Sequence, residues 1–189
     1  MHLFFLALVT FLTLAKPYPL ALKDGLCPIP PEGQINIQPD DLIGRWLPVR
    51  SNYELFTNSK NVKKCIEINI TRKNDIYFLT TNYQDSESND NQLFKKYVPV
   101  DEKFGSFHAY KKMPNGLYDP VGWTNTLVKI QGDSKLEYLC KNVPRNKHRD
   151  FYRTTARYTP VSQEEDEALL KIVKDNGDDR AMLPYNHND

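Results

Sequence analysis

From residue 45 to about 158 the chain alternates short apolar and polar runs with turn-rich breaks, the pattern of a strand meander. The clearest run is Cys65-Ile66-Glu67-Ile68-Asn69-Ile70-Thr71. Successive side chains of a strand point to opposite faces, so Ile66, Ile68 and Ile70 share one face while Cys65, Glu67, Asn69 and Thr71 share the other. Strict alternation of this kind predicts one wet face. Lys73-Asn74-Asp75 reads as a turn, residues 76–83 as the next strand and 84–91 as a polar loop. Further strands are predicted over 93–100, 106–111, 122–129, 136–142 and 151–158, with Met113-Pro114-Asn115-Gly116 and Gln131-Gly132-Asp133-Ser134 supplying turns. About eight strands at hairpin spacing suit an antiparallel barrel or sandwich, and a barrel removes the exposed edges.

A helical signal appears only near the end. Ser162-Gln163-Glu164-Glu165 has the S-x-x-E form of a capping box, Pro160 stands just ahead, and Asn176-Gly177 supplies a stop. Between them Ala168, Leu169, Ile172 and Val173 fall on one face, so an amphipathic helix over about 162–176 is expected to pack outside the sheet. Residues 178–189 are polar and read as a loose tail.

At the other end, an apolar run of about a dozen residues over 3–14 is too short to span a bilayer. Thr13-Leu14-Ala15 suits signal peptidase, and Lys16-Pro17-Tyr18-Pro19 breaks the rival reading as a core helix. Residues 1–15 are therefore read as a signal peptide, with cleavage after Ala21 as the alternative, which places the protein outside the cell. Its removal leaves about 174 residues (189 minus 15), enough for one domain over 16–189. No later segment is apolar for the roughly 20 residues that a membrane helix needs. The leader carries no charged side chain, so the formal charge of +1 belongs to the mature chain and is too balanced to drive binding to nucleic acid or anionic lipid.

Three cysteines, Cys27, Cys65 and Cys140, follow the leader. In an oxidising compartment two would pair and one would stay free or bridge to another chain, and the sequence alone does not choose the pair. Asn69-Ile70-Thr71 is the one N-x-[ST] sequon and a candidate glycosylation site.

Near the start of the mature chain, Asp40-Asp41-Leu42-Ile43-Gly44-Arg45-Trp46 sets a large aromatic close behind a glycine. With the meander and the late helix, this Gly-x-Trp motif resembles the lipocalin family. The stretches "CPIPPEGQINIQPDDLIGRWLPV", "KKCIEINIT" and "TTARYTPVSQEEDEALLKIVKDNG" are most similar to the apolipoprotein D and insect bilin-binding branch. The resemblance implies an eight-stranded antiparallel up-and-down barrel, over about 44–158, with the helix outside. It also implies a structural motif in which Trp46 closes the narrow end beneath Arg157 of the last strand, while Gly44 lets the preceding turn enter the first strand. It pairs Cys27 with Cys140, tying the N-terminal segment to the barrel wall, and leaves Cys65 unpaired, with a dimer or protein partner through that thiol as a consequence. Two stretches depart from the pattern: Lys129-Ile130-Gln131 stands where Thr-Asp-Tyr is usual, and Leu47, followed by Pro48, stands where an aromatic is usual after the tryptophan.

One branch of the family uses a barrel cysteine for prostaglandin isomerisation. Here alternation turns Cys65 to the same side as Asn69, which needs solvent to carry a glycan, so catalysis by Cys65 is not expected. The sequence holds no metal-ligand cluster, Gly-rich phosphate loop, nucleophile elbow or HExxH helix, and no cofactor or metal is called for. His108 and His148 read as solvated or wall residues, and Arg145-Asn146-Lys147-His148-Arg149 as an exposed hairpin end. What remains is aromatic weight, 11 Tyr and 9 Phe. An eight-stranded barrel is wide enough to hold one small ligand, and aromatic walls with hydroxyl handles suit an apolar molecule with few polar groups. The expected function is a secreted, non-enzymatic lipocalin that carries or sequesters a small hydrophobic ligand, such as a lipid, pigment or retinoid-like molecule. Ile66, Ile68, Ile70, Phe78, Tyr97, Phe107, Tyr118 and Trp123 are expected to line its site. The alternative is an interaction protein that presents loops 84–91 and 113–119 to a protein target.

Overall fold

The computed structural model describes residues 22–31, 38–53, 64–85, 87, 89–100 and 105–185. The expected leader and the last four residues lie outside these. Eight strands run antiparallel in chain order: β2 (Gly44–Ser51), β3 (Lys64–Lys73), β4 (Ile76–Gln84), β5 (Asp90–Pro99), β6 (Ser106–Lys112), β7 (Tyr118–Gln131), β8 (Ser134–Val143) and β9 (Lys147–Ala156). β9 pairs back onto β2, so the sheet closes into the barrel that the turn spacing predicts. A short strand, β1 (Lys23–Asp24), lies against the start of β9.

Trp46 shows how the first strand is shared. β2 bonds β3 over Gly44, Arg45 and Trp46, and bonds β9 from Leu47 to Ser51, with a bulge between Pro48 and Arg50. Pro48, one residue beyond the Leu47 departure, thus sits beside the bulge and beyond the last β3 pair, where its missing N–H removes no β3 ladder bond. On the edge of β2 that β3 leaves, β10 (Leu183–Pro184) pairs with Ser51 and Arg50, and the Tyr185 N–H donates to the Val49 carbonyl at 2.9 Å. The tail therefore corrects the expectation of a loose end over its described part: Leu183 to Tyr185 dock on β2 through backbone pairing, and Arg180 through its side chain on Asp150, neither of which a polar composition announces.

α1 (Gln163–Asp175) has the expected start, with Ser162 Oγ accepting from the Glu165 N–H at 3.2 Å. Leu169 and Val173 are buried against Val128, Leu136, Tyr138 and Tyr152, a second core between helix and barrel wall. Burying two such side chains contributes about 1.5–3 kcal/mol each. Polar ties fix the same docking. Arg50 reaches Asp166 at 2.8 Å, and Ser134 Oγ donates to Glu165 at 2.8 Å. Gly132, at φ +57°, lets Glu165 come this close, since a Cβ there would stand 2.0 Å from its carboxylate oxygen.

A disulfide joins Cys27 to Cys140, as the family likeness implies, and Cys65 is free and exposed. The bond fixes the N-terminal segment to the outside of β8.

Candidate ligand site inside the barrel

The closed end is built around Trp46, which is 1% exposed, with its indole N–H donating to the Leu42 carbonyl at 2.9 Å. Arg157 stacks on the ring at 4.3 Å and donates to the carbonyls of Ile43 (2.9 Å) and Asp41 (2.8 Å). Gly44 has φ +107°, and a Cβ there would come within 2.9 Å of Arg157 Nη1. The glycine of the Gly-x-Trp motif therefore serves two ends, a left-handed backbone and the space that the arginine occupies.

Above this floor the inner wall follows from register. Ile70 opposes Leu79, and Tyr77 opposes Tyr97, which in turn opposes Ala109; Phe107 lies across from Asn125. Opposed residues share a face, so Ile66, Ile68, Ile70, Tyr97 and Phe107 all point inward and are buried in one core with Trp46, Tyr77, Leu79 and Leu127. Trp123 is half-buried, packs against that core, and meets Phe151 edge-on at 5.3 Å.

Phe78 and Tyr118 are corrections. The turn after Lys73 has only two residues, Asn74 and Asp75, so Lys73 opposes Ile76, and Phe78 opposes Thr71 on the outer face. Counting three residues into that turn shifts the register by one and reverses every side chain beyond it. Tyr118 opposes Lys112, also outside. The two rings meet each other at 6.4 Å, and the Lys96 ammonium lies over Tyr110 at 4.9 Å and Tyr118 at 5.2 Å, so this outer wall is an aromatic and lysine surface. Asn69 points outward as expected, half-buried, with its amide donating to Glu67 at 2.8 Å.

The interior also holds charges that the sequence reading missed. Glu137 on β8 opposes Arg153 on β9, and both face inward. Arg153 grips one oxygen, Glu137 Oε2, through Nε (3.0 Å) and Nη2 (2.7 Å). The other oxygen accepts from Asn125 Nδ2 at 2.9 Å and Lys135 Nζ at 3.3 Å. The three charged side chains are 4%, 12% and 3% exposed for Glu137, Arg153 and Lys135. Burial by itself would raise the Glu137 pKa, but Arg153, Lys135 and the hydrogen bonds outweigh it and hold it down at about 2. Burial pulls the Lys135 pKa down in spite of its partner Glu137. Burial likewise raises that of Tyr97, against the opposing pull of the Arg153 charge.

On β8 the charged positions alternate with Leu136 and Tyr138, and the simple rule puts charges outside. Here α1 covers the outer face, so Leu136 and Tyr138 pack against the helix and Lys135 and Glu137 turn inward. The disulfide carried the missing signal. Cys140 must face outward to meet an N-terminal segment outside the wall, which sends Leu136 and Tyr138 out with it and Lys135, Glu137 and Leu139 in.

A groove of about 580 Å³ lies outside the barrel, between the N-terminal segment and the end of α1, lined by Lys23, Tyr138, Asp150, Tyr152, Asp178 and Arg180 among others. Its charges answer one another: Lys23 meets Asp150 at 2.9 Å, Arg180 meets Asp150 at 3.1 Å, and Arg180 also pairs with Asp178. His148 on this side is buried, its ring nitrogen 3.0 Å from the Gly25 carbonyl, whereas His108 is exposed.

No protein-family model and no curated protein matches the chain. Solved structures do. H1 crustacyanin from the lobster Homarus americanus superposes with a TM-score of 0.64 at 14% identity, over 90% of this chain and 93% of that one. Lobster apocrustacyanin A1 gives 0.63 at 12% identity over 89% and 92%. The siderocalin Ex-FABP, described as functioning through dual ligand specificities, gives 0.54 at 13% identity over 77% and 91%. These neighbours are lipocalins, and the closed eight-stranded barrel with one helix outside is the lipocalin fold.

Proposed function

We propose that the protein is an exported lipocalin that binds a small hydrophobic ligand inside its barrel, to carry or sequester it. The convergence of Ile66, Ile68, Ile70, Tyr97, Phe107 and Trp123 on the inner wall, above an end closed by Trp46, carries this reading. Binding needs no reacting group. The short apolar leader and the Cys27–Cys140 bond support export to an oxidising compartment, and the outward Asn69 suits a glycan. Native mass spectrometry of the secreted protein should find an organic molecule bound, and titration with a fluorescent apolar probe should saturate at one site that Ile68→Lys abolishes in a folded barrel. A barrel that stays empty and takes up no probe would sink the reading. It would favour the alternative, an interaction protein, for which the outer face around Phe78, Lys96, Tyr110 and Tyr118 is the specific support.

A further inference from the structure

Half-buried Lys95 on β5 shares the inner face with Leu79 and Tyr97, but the fully enclosed charges of the interior stand together at one place, and that place is unbalanced in charge. Lys135 and Arg153 bring two positive charges to the single carboxylate of Glu137. The count is two minus one, an excess of one positive charge enclosed by protein. Arg153 spends its donors well, on a fork to Glu137. Lys135 does not. Its ammonium has three protons, and its contacts among the described residues are a long bond to Glu137 at 3.3 Å and the face of Trp46 at 4.5 Å. Directly opposite Lys135 on the same inner face stands Thr155, 0% exposed, whose hydroxyl has no hydrogen-bond partner among the described residues. Asn125 is 2% exposed and gives its amide N–H to Glu137, which sets its Oδ1 in the same cluster, also without a partner among the described residues. A native interior seldom leaves buried polar atoms unanswered, and two beside an under-coordinated ammonium mark a place made for a polar group from elsewhere.

We propose that the barrel selects an apolar monocarboxylate, held with its carboxylate on Lys135 Nζ and Thr155 Oγ and its hydrocarbon along the isoleucine and aromatic wall. A monoanion matches the excess of one charge, and both Lys135 and Thr155 are donors to it. Charge-assisted hydrogen bonds of this kind, in an enclosed site, are stronger than neutral ones. Asn125 Oδ1, an acceptor, answers a hydroxyl on the same molecule. Glu137 is a positioning residue: it holds the two cations inside and leaves one charge over.

The inference rests on the carrier reading, and the test separates the two. The probes are a fluorescent polyene fatty acid and its methyl ester, titrated into the full chain at neutral pH. The acid should bind about tenfold or more tightly than the ester, as a charge-assisted anchor requires. Lys135→Met should bring the acid down to the affinity of the ester. Thr155→Val, which keeps shape and adds no charge, should weaken the acid severalfold without changing the melting temperature by more than a few degrees, and it secures the result if the Met variant fails to fold. If acid and ester bind the wild type equally, the carrier reading stands and the carboxylate site is wrong. If the acid is preferred but neither variant alters the preference, the anchor is wrongly placed and the proposal falls. If neither probe binds, the carrier reading itself fails.

Discussion

Strands β8 and β9 carry an ion cluster on each face, and the two clusters differ in what closes them. Inside the barrel, Arg153 and Lys135 share Glu137 and leave one positive charge over. Outside, Lys23 and Arg180 meet Asp150 and Asp178, two charges of each sign. The inner three are nearly wholly enclosed, whereas the Lys23 side chain is 41% exposed. Water supplies what the outer cluster lacks. Inside, only the protein or a ligand can. The same residue chemistry thus acts as a fastening on one face, docking the N-terminal segment and the tail, and as a polar feature of the barrel interior on the other.

The largest expected effect tests the fastening. Replacing Cys27 and Cys140 by serine opens a cross-link spanning 113 residues. A loop of that length is worth about 4–5 kcal/mol in the chain-entropy model. Chemical unfolding should show a loss of this order, with the N-terminal segment becoming protease-sensitive while Glu137 keeps its acid response. Loss of that response as well would mean that the two faces are not independent.

Next in size is the contrast between carboxylates. Glu137→Leu leaves two buried cations without an acceptor and should cost about 3–5 kcal/mol, whereas Asp150→Asn, whose cations reach water, should cost about 1–2. Thermal unfolding followed by circular dichroism reads both, and equal losses would break the comparison. Glu137 also predicts a pH dependence. Its carboxyl falls from 4.5 to about 2 on folding, so its contribution is complete above pH 4.5 and is lost as pH falls towards 2. A shift of this size corresponds to about 3 kcal/mol. Glu137→Gln should remove that part of the acid limb, and an unchanged limb would show that other groups carry it. The smallest effect belongs to the outer wall: Phe78→Ser should cost no more than about 1 kcal/mol and leave uptake of an apolar probe unchanged, because the ring lies outside.

Much of this was legible in the sequence, and for identifiable reasons. The isoleucines of β3 sit in a period-two run whose opposite face holds Asn69 and Glu67, so local patterning set both the strand and its inward face. Ser162 and Glu165 announce the start of α1 because a cap is made within four residues. The Gly44, Trp46 and Arg157 arrangement came through family likeness, since the arginine lies more than 100 residues from the ring it covers.

What only the tertiary structure decided was the set of faces that register and cover control. The one-residue difference in the turn at Asn74 and Asp75 sent Phe78 outside, because a strand side chain has only two directions and a slip of one reverses them. Lys135, Glu137 and Arg153 turned inward because α1 buries the other face of β8, so hydrophobicity no longer marks which side is the interior. The docking of Tyr185 depends on a stretch of β2 edge that β3 leaves open. Periodicity along one strand reports how its two faces differ, but which face looks into the barrel is settled by elements distant in sequence, through pairing and burial that no local pattern contains.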